Sequence, residues 1–294
     1  MDKPYSARYW LDALLHGFSQ IFFQTSRCCG LLLLLAIGLE SPFLLMAGLT
    51  GCIIAQFSAG LCGYEADRIR AGHYGYNGAL IGLGLGTLLG LTPVSLLLVA
   101  LFSVLSAPLM EWQIRRWSLP PYTSTFVLLS WCALAVAPLF PLAPATPLPT
   151  ATSLELLPLP ATAVIQGLGQ VIFLTSPLPA LLVLVALAWA SRRDCASALA
   201  GALCGTLVAT QLPVSGLDLQ LGLYGFNGAL AAIALAQRFG HQPLLILAGA
   251  ALATLLQPLL SVAGVPAFTA PFMLSCWLIC LLAESISPRQ PQVP

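Results

Sequence analysis

Charged side chains are scarce in this chain. Lys, Arg, Asp and Glu together make up 7% of its 294 residues, whereas hydrophobic residues make up 59%. A soluble domain carries about 25% charged residues, which it needs to cover its water-facing surface. The composition therefore excludes an ordinary soluble protein and predicts an integral membrane protein. The net charge of +1 also lacks the basic excess that is typical of nucleic-acid binding, so no nucleic-acid partner is expected.

The apolar segments lack the short alternating pattern of a transmembrane β-barrel. They are continuous leucine-rich runs, such as GLLLLLAIGL at residues 30–39, which suit helices that cross a hydrocarbon core roughly 30 Å thick. A helix satisfies its own backbone hydrogen bonds in lipid. The sequence therefore predicts an all-α integral membrane protein in contact with the lipid bilayer.

The residues of a catalytic or metal site are also missing. The chain has nine cysteines, an odd number, and no CxxC motif pairs with a second one, so no metal site is expected. No nucleophile and base form a recognisable set, so an enzyme is not expected and no cofactor is implied. Ionisable residues are rare inside the apolar segments, which disfavours a proton-driven pump, because intramembrane charge is the usual sign of ion coupling.

What the chain does contain is an internal repeat. Three segments of the first half recur in the same order in the second half: GFSQIFFQTS (17–26) as GLGQVIFLTS (167–176), GYNGALIG (75–82) as GFNGALAA (225–232), and LPPYTSTF (119–126) as VPAFTAPF (265–272). The first two pairs are offset by 150 residues and the third by 146. We therefore predict two repeats, over residues 1–145 and 155–294, joined by a proline-rich linker at about 138–160.

The basic residues predict how the two repeats are oriented, because Lys and Arg concentrate in cytoplasmic loops. Arg68 and Arg70 align with Asp218 and Gln220, whereas basic residues of the second half, such as Arg238, align with uncharged positions of the first. This complementary pattern predicts inverted repeats of five helices each. It predicts ten transmembrane helices, with both termini cytoplasmic.

The first segment departs from this simple pattern. Residues 8–42 are long for one crossing, so we expect a broken or tilted helix there. Arg27 is the one basic residue that does not fit, and we expect it on the outside, after an early turn. Inverted repeats built from broken helices place a binding site or pore at the midplane, on the axis between the copies.

Neutral polar residues and aromatic rings occur near one another in both copies. Amides and hydroxyls both donate and accept hydrogen bonds, which suits a small neutral solute. Helix–helix hydrogen bonding is the alternative role for each of them. Paired aromatic rings can form a flat slot, although lipid or core packing is the alternative role for a single ring. Gly78, Gly82, Gly86 and Gly90 recur every four residues and are expected to let helices pack closely.

These motifs together resemble the urea transporter family of channels, in its bacterial type. The resemblance covers nearly the whole chain and rests on the two Asn-Gly segments, the two GxxQxxF segments and the LPPYTSTF and VPAFTAPF pair. It implies a homotrimer in the cell (inner) membrane. Each protomer would conduct urea passively through two inverted five-helix repeats, with broken or half-spanning helices around a central pore.

The resemblance also implies a filter with two aromatic slots. The first slot would pair Phe23 with Tyr76, backed by Leu80, and the second would pair Phe173 with Phe226, backed by Leu230. Thr123 and Thr269 would lie at the centre of the filter. The amides that line it would be Gln20 and Gln166, with Gln170 as the repeat counterpart of Gln20. Asn77 and Asn227 are expected to fix the turns that aim the rings rather than to touch the solute.

Two other functions remain open from the residues alone. One is a coupled secondary transporter of a small polar metabolite, and the other is a short-chain amide, ammonia or water channel on the same scaffold. Three departures from the family pattern bear on selectivity: Thr125 stands where proline is expected, Val265 where leucine is expected, and Tyr76 brings a hydroxyl to one slot. A lost proline is expected to alter how its helix breaks.

Overall fold

The computed structural model describes residues 6–140, 159–262 and 264–286, and within these ranges the chain is helical without a strand. The first half forms α1 Ala7–Ser19, α2 Arg27–Glu40, α3 Pro42–Leu61, α4 Ala66–Arg70, α5 Gly75–Leu89, α6 Pro93–Arg116 and α7 Ser124–Val136. The second half forms α8 Leu159–Gln170, α9 Pro177–Ala190, α10 Arg192–Ala209, α11 Gly216–Gln220, α12 Phe226–Phe239, α13 Pro243–Val262 and α14 Ala270–Ile286. The predicted all-α class is confirmed for these residues. Most of the predicted linker at 138–160 lies outside them.

Several helices begin at caps that the sequence supplies. Ser41 accepts a hydrogen bond from the Leu44 N–H, and Pro42 occupies the first turn of α3, where its missing N–H costs nothing. Thr92 and Ser95 form a reciprocal capping box at the start of α6. These caps satisfy orphan N–H groups at helix ends, which matters most where no water reaches them.

The first segment is a broken helix, as expected. The helical stretches Ala7–Phe22 and Arg27–Glu40 meet at an angle of 78°. Phe23 ends the first stretch with a positive φ of 59°, which turns the chain sharply. The second half has a similar break between α8 and α9, where Phe173 has a φ of 63°.

Glycines let α3 and α5 pack backbone to backbone. A Cβ atom added at Gly78 would lie 2.2 Å from the Gly51 carbonyl oxygen, and one at Gly82 would lie 2.1 Å from the Ala47 carbonyl oxygen. The predicted packing role is therefore confirmed for these two glycines. Gly90 has another role, because it follows the last residue of α5 with a φ of 68°, a conformation that L residues rarely adopt.

Three described helices are long and apolar enough to cross a membrane: Pro42–Leu61, Pro93–Arg116 and Pro243–Leu260. Counting the bent pair as one span raises this number to four. Shorter apolar helices are Ser124–Leu139, Pro177–Ala190 and Ala270–Ala283. Large apolar side chains such as Leu31, Leu35 and Leu39 point outward from α2, which is the pattern of a surface that faces lipid. These features support a multi-pass membrane protein.

One expectation about the first segment is wrong. The pattern of basic residues predicts Arg27 on the opposite side of the membrane from Arg70, yet both guanidinium groups bind Asp12, at 2.6 and 2.8 Å. The reason is the 78° bend after Phe23, which folds the start of α2 back towards α1 instead of carrying it across. Arg27 and Arg70 therefore lie at the same end of the molecule, and the exception to the basic-residue pattern disappears.

Candidate permeation site

Two threonines from the two halves meet in the interior. Thr123 directly precedes α7 and Thr269 directly precedes α14, and their Oγ1 atoms are 2.6 Å apart. The two residues are only 1% and 3% exposed. The resemblance implies that these two threonines lie near each other, and the fold brings them into direct contact.

An aromatic cluster surrounds Phe23, the first slot residue. Its ring makes edge contacts with Tyr122 and Phe272, at centroid distances of 6.0 and 5.9 Å. Tyr122 and Phe272 also contact each other at 5.2 Å. We call these three residues the Phe23 cluster. Two of its rings come from the first half of the chain and one from the second.

A second cluster surrounds Phe173 in the same way. Its ring contacts Phe126 at 6.5 Å and Phe268 at 6.3 Å, and Phe126 and Phe268 are 5.0 Å apart. We call these three residues the Phe173 cluster. It takes two rings from the second half and one from the first, the reverse of the Phe23 cluster.

The backbone is strained at these clusters. Among the described residues, the non-glycine residues with positive φ are Phe23, Tyr122, Phe173 and Phe268, with values between 46° and 63°. All four belong to the two clusters. An aromatic side chain in this left-handed region costs free energy, and such strain concentrates at functional sites. Each strained residue lies close to the point where a helix ends or begins.

Polar side chains of α5 and α12 hold the clusters in place. The Tyr76 hydroxyl donates to the Tyr122 carbonyl oxygen. The Asn77 Oδ1 accepts from the Phe126 N–H at 3.1 Å, and the Asn227 Oδ1 accepts from the Phe272 N–H at 3.3 Å. Both asparagines are fully buried, so they anchor the first turns of α7 and α14, in keeping with the aiming role expected of them. Leu80 and Leu230, predicted to back the slots, are both 1% exposed.

A cavity of about 240 Å³ gathers four of the predicted residues. Its lining includes Gln170, Phe173, Phe226 and Thr269, together with Phe268 and with Leu88 from the first half. The two rings predicted for the second slot therefore face one space, with an amide and a hydroxyl beside them. All four predicted side chains are uncharged, so this space suits a neutral solute better than an ion.

The remaining amides lie beside the helix breaks. The Gln20 Nε2 donates to the Thr25 Oγ1 at 2.9 Å, and the Gln166 Nε2 donates to the Thr175 carbonyl at 2.6 Å. The Gln166 Oε1 is buried and accepts no hydrogen bond from the described residues. A buried acceptor without a partner is costly.

The start of α7, which carries Thr125, corresponds to the start of α14, which carries proline at the aligned position. α7 begins at Ser124 and α14 at Ala270, which are corresponding positions 146 residues apart. Thr125 and its counterpart Pro271 lie in the first helical turn, where no intrahelical N–H bond is lost to proline. The expected effect on the helix break is therefore wrong. The Thr125 hydroxyl instead donates to the Gln113 Oε1 at 2.6 Å.

The sequence motifs contained four cluster rings that were not singled out as site residues: Tyr122, Phe126, Phe268 and Phe272. They stand directly before, or three residues after, the central threonines within the repeated LPPYTSTF and VPAFTAPF segments. Repetition of aromatics at both positions was the signal that could have found them. The described residues hold no group of three His, Cys, Asp or Glu side chains that could bind a metal ion.

Comparison with known proteins identifies the family. A family model described as urea transporter matches residues 11–284. The chain belongs to the urea transporter family. Urea transporter 1 of sheep (Ovis aries) is 28% identical over 312 residues, which cover 96% of this chain and 79% of that protein. Urea transporter 1 of mouse (Mus musculus) is 26% identical over 304 residues, with the same coverage. As a member of the urea transporter family, the chain is a transport protein rather than an enzyme.

Proposed function

We propose that this protein is a passive channel that conducts urea across the membrane. The observation that carries the proposal is the urea transporter match over residues 11–284, which includes every candidate pore residue. Relatives named urea transporter 1 align with 96% of the chain and support the same function.

The proposed path runs between the two aromatic clusters and past the threonine pair. Gln20, Phe23 and Tyr76 would line one part of it, and Gln170, Phe173 and Phe226 the other. The shared cavity of the second group supports this part of the path. The pairing of Phe23 with Tyr76 is supported by Tyr122, whose ring contacts Phe23 and whose carbonyl accepts from Tyr76.

The chemistry of the path suits urea, which is planar, neutral and rich in N–H donors. Leaving these donors unpaired in an apolar pore would cost several kcal/mol. Two threonine hydroxyls carry two O–H donors and four lone pairs, and their mutual bond uses one of each. The pair therefore keeps three lone pairs for urea N–H groups and one O–H for the urea carbonyl. Such neutral contacts bind strongly enough to admit urea and weakly enough to release it.

We propose that the halves are inverted repeats, over residues 1–145 and 155–294, as the basic loops predict. Reciprocal contacts support a twofold relation between them. The Trp131 indole N–H donates to the Pro266 carbonyl at 2.9 Å, and its counterpart Trp277 donates to the Pro120 carbonyl at 2.8 Å. Such an exchange is expected when two copies face each other across a pseudo-twofold axis.

The remaining proposals concern topology and assembly. We propose ten transmembrane helices, of which the shorter apolar helices and the broken α1–α2 and α8–α9 pairs would form part. We also propose cytoplasmic termini, a location in the cell (inner) membrane, a bacterial type and a homotrimer. The outward-facing leucines of α2 support a lipid or subunit contact on that face.

Urea efflux from proteoliposomes tests the proposed function. Vesicles loaded with urea, with and without the purified protein, are mixed with urea-free buffer in a stopped-flow light-scattering instrument. We expect urea to leave the protein-containing vesicles much faster, always down its gradient and without any effect of a protonophore. Urea flux equal to that of protein-free vesicles would contradict the proposal.

The same vesicles separate the two alternatives. Accumulation of a solute against its gradient that collapses with the protonophore would identify a coupled transporter. Acetamide, methylurea or ammonia moving faster than urea would identify an amide or ammonia channel on this scaffold.

A further inference from the structure

Short hairpins carry the two slot phenylalanines. Residues 20–26 join α1 to α2, and residues 171–176 join α8 to α9. Phe23 and Phe173 lie within these hairpins in a left-handed conformation. A strained backbone of this kind persists only where its surroundings hold it. The groups that hold each hairpin therefore decide where its ring stands.

Glu40 holds the hairpin after Phe173. Its Oε1 accepts from the Thr175 N–H at 3.1 Å and from the Thr175 hydroxyl at 2.6 Å, and its Oε2 accepts from the Ser176 N–H at 3.1 Å. Glu40 ends α2 and so belongs to the first half of the chain. One carboxylate thus makes three hydrogen bonds to a hairpin of the other half.

Asp194 holds the hairpin after Phe23 from the opposite half. Its Oδ2 accepts from the Gln24 Nε2 at 2.9 Å and from the Gln237 Nε2 at 3.0 Å. The Gln237 Nε2 also reaches the Phe23 carbonyl, at 3.3 Å. His241 stands beside the same carboxylate, with its Nε2 at 3.9 Å from the Asp194 Oδ1. Asp194 lies in the first turn of α10, where the Ser191 hydroxyl caps its N–H.

Glu40 and Asp194 each hold a hairpin of the other half, but they do not occupy corresponding positions in the two repeats. At the offset of 150 residues, Glu40 aligns with Ala190 and Asp194 aligns with Leu44. Glu40 ends a helix and reaches backbone N–H groups, whereas Asp194 starts one and acts through two amide side chains. Each hairpin is thus held by a carboxylate of the other half, and these two carboxylates are not counterparts of each other in the repeat.

We propose that Glu40 and Asp194 are positioning residues that set the width of the two aromatic slots. The proposal rests on the proposed urea channel and deepens it. Hydrogen bonds to an ionised carboxylate are shorter and stronger than neutral ones, so each clamp fixes its hairpin firmly. Because each carboxylate belongs to the other half, the clamp also ties each slot ring to the half that faces it. Loosening a clamp lets the ring withdraw and admits bulkier planar solutes.

The test compares urea with N-methylurea, which adds one methyl group. Wild type, Glu40→Gln and Asp194→Asn are placed in proteoliposomes, and the permeability ratio of urea to N-methylurea is measured by stopped flow. A tight pocket discriminates a methylene by roughly tenfold or more, so we expect each variant to lower this ratio by about threefold or more. Partial recovery of the ratio in Asp194→Glu, which restores a carboxylate, is also expected.

Glu111→Gln is the matched control. Glu111 is another buried carboxylate, but it binds Tyr74, Arg68 and Arg115 rather than a slot hairpin. We expect this variant to keep the wild-type ratio even if it lowers thermal stability. An unchanged ratio in both clamp variants, or an equal change in Glu111→Gln, would overturn the proposal. Wild-type vesicles that carry no urea would instead overturn the proposed function on which it rests.

The variants of Glu40 and Asp194 could fail to fold. Two milder variants and a second measurement then test the same proposal. Thr175→Val removes the hydroxyl bond to Glu40, and Gln237→Met removes the link from the exposed Gln237 to Phe23. We expect both to lower the permeability ratio. In hydrogen exchange of the Thr175→Val protein, we expect the Thr175 and Ser176 amides to exchange about tenfold faster, as the loss of a charged hydrogen bond implies. Unchanged ratios together with unchanged exchange would refute the positioning role.

Discussion

The Oγ1 atoms of Thr123 and Thr269 lie 2.6 Å apart, joined by a hydrogen bond between the two halves of the chain. These threonines occupy corresponding positions, 146 residues apart. In the proposed twofold arrangement, a residue and its counterpart can touch only near the axis that relates the two copies, so this bond supports the proposal. The two aromatic clusters lie next to this pair in sequence, because Tyr122 and Phe268 directly precede the two threonines.

Thr123→Val tests the central position of this pair. Valine keeps the volume of threonine and removes the hydroxyl, so the filter loses hydrogen-bonding capacity at nearly constant shape. We expect urea permeability to fall about fivefold, the equivalent of one hydrogen bond of about 1 kcal/mol. Thr269→Val should have a similar effect, because each variant also breaks the bond between the pair. Stopped-flow urea efflux at matched protein density measures both.

Thr206→Val is the control for these variants. Thr206 is a buried threonine whose hydroxyl donates to the Ala202 carbonyl within α10, at 2.8 Å. The same chemical change there should leave urea permeability within the experimental error. Equal permeability of wild type and both central variants would refute the assignment of the threonines to the filter.

The helical class and the broken first segment could be predicted because each leaves a local signal. Composition predicts membrane helices, and the excess length of residues 8–42 predicts a break. Thr123 and Thr269 stand in a repeated motif, which marks them as a pair before any geometry is known. Four of the predicted residues line the cavity around Phe173, namely Gln170, Phe173, Phe226 and Thr269, whereas its other lining residues were not predicted.

The partners within the site could not be predicted, because they depend on three-dimensional geometry. The Phe23 cluster takes Phe272 from the other half, a contact that follows from the strained turns at Phe23 and Tyr122. Glu40 and Asp194 have no repeat counterparts, so a search for repeated polar residues passes over them. The prediction that Arg27 lies on the opposite side from Arg70 fails for a similar reason, because a pattern of charges does not reveal the 78° bend between α1 and α2.

Tyr76→Phe tests the residue that breaks the similarity between the two slots. The Tyr76 hydroxyl donates to the Tyr122 carbonyl, and the corresponding Phe226 has no hydroxyl. Its loss leaves a buried carbonyl short of a donor, so we expect the free energy of unfolding to fall by about 1–2 kcal/mol. Because Tyr122 also contacts Phe23, we expect the urea to N-methylurea permeability ratio to change as well. Thermal unfolding in detergent and stopped flow measure the two effects.

Tyr9→Phe separates these effects. Its hydroxyl also donates to a backbone carbonyl, that of Ala66 at 2.9 Å, and Tyr9 is equally well buried. We expect a comparable loss of stability with no change in the permeability ratio. If Tyr9→Phe shifts the ratio as much as Tyr76→Phe does, the role of Tyr76 in the slot is contradicted.

The two buried asparagines should differ in how much they stabilise the protein. Each accepts from the first turn of α7 or α14, and a lost cap costs about 1 kcal/mol. The Asn227 Nδ2 also donates to the Gln257 Oε1 at 3.1 Å and to the Phe268 carbonyl at 3.2 Å, whereas the Asn77 Nδ2 donates to a sulfur, the Met110 Sδ at 3.6 Å. We therefore expect Asn227→Ala to lower the unfolding temperature more than Asn77→Ala.

Thr92→Ala calibrates this comparison. Thr92 caps α6 with a reciprocal bond to Ser95, away from both aromatic clusters. The Thr92→Ala variant should lower the unfolding temperature by an amount typical of a lost helix cap. Its urea permeability per folded protein should stay at the wild-type value. A larger fall of the unfolding temperature in Asn77→Ala than in Asn227→Ala would show that the two oxygen acceptors bound by the Asn227 Nδ2 contribute little to stability.

Single cysteines at corresponding positions test the proposed inversion. Glu65 and Ser215 precede the short helices α4 and α11, are 150 residues apart and lie on the surface. In a background without native cysteines, Glu65→Cys and Ser215→Cys are treated in oriented membranes with a maleimide that cannot cross lipid. Under the proposed topology, the basic residues Arg68 and Arg70 would put the first position in the cytoplasm, and the aligned Asp218 and Gln220 would leave the second outside. We therefore expect the two cysteines to react from opposite sides. Reaction of both cysteines from one side would show that the repeats run parallel and would refute the proposed inversion.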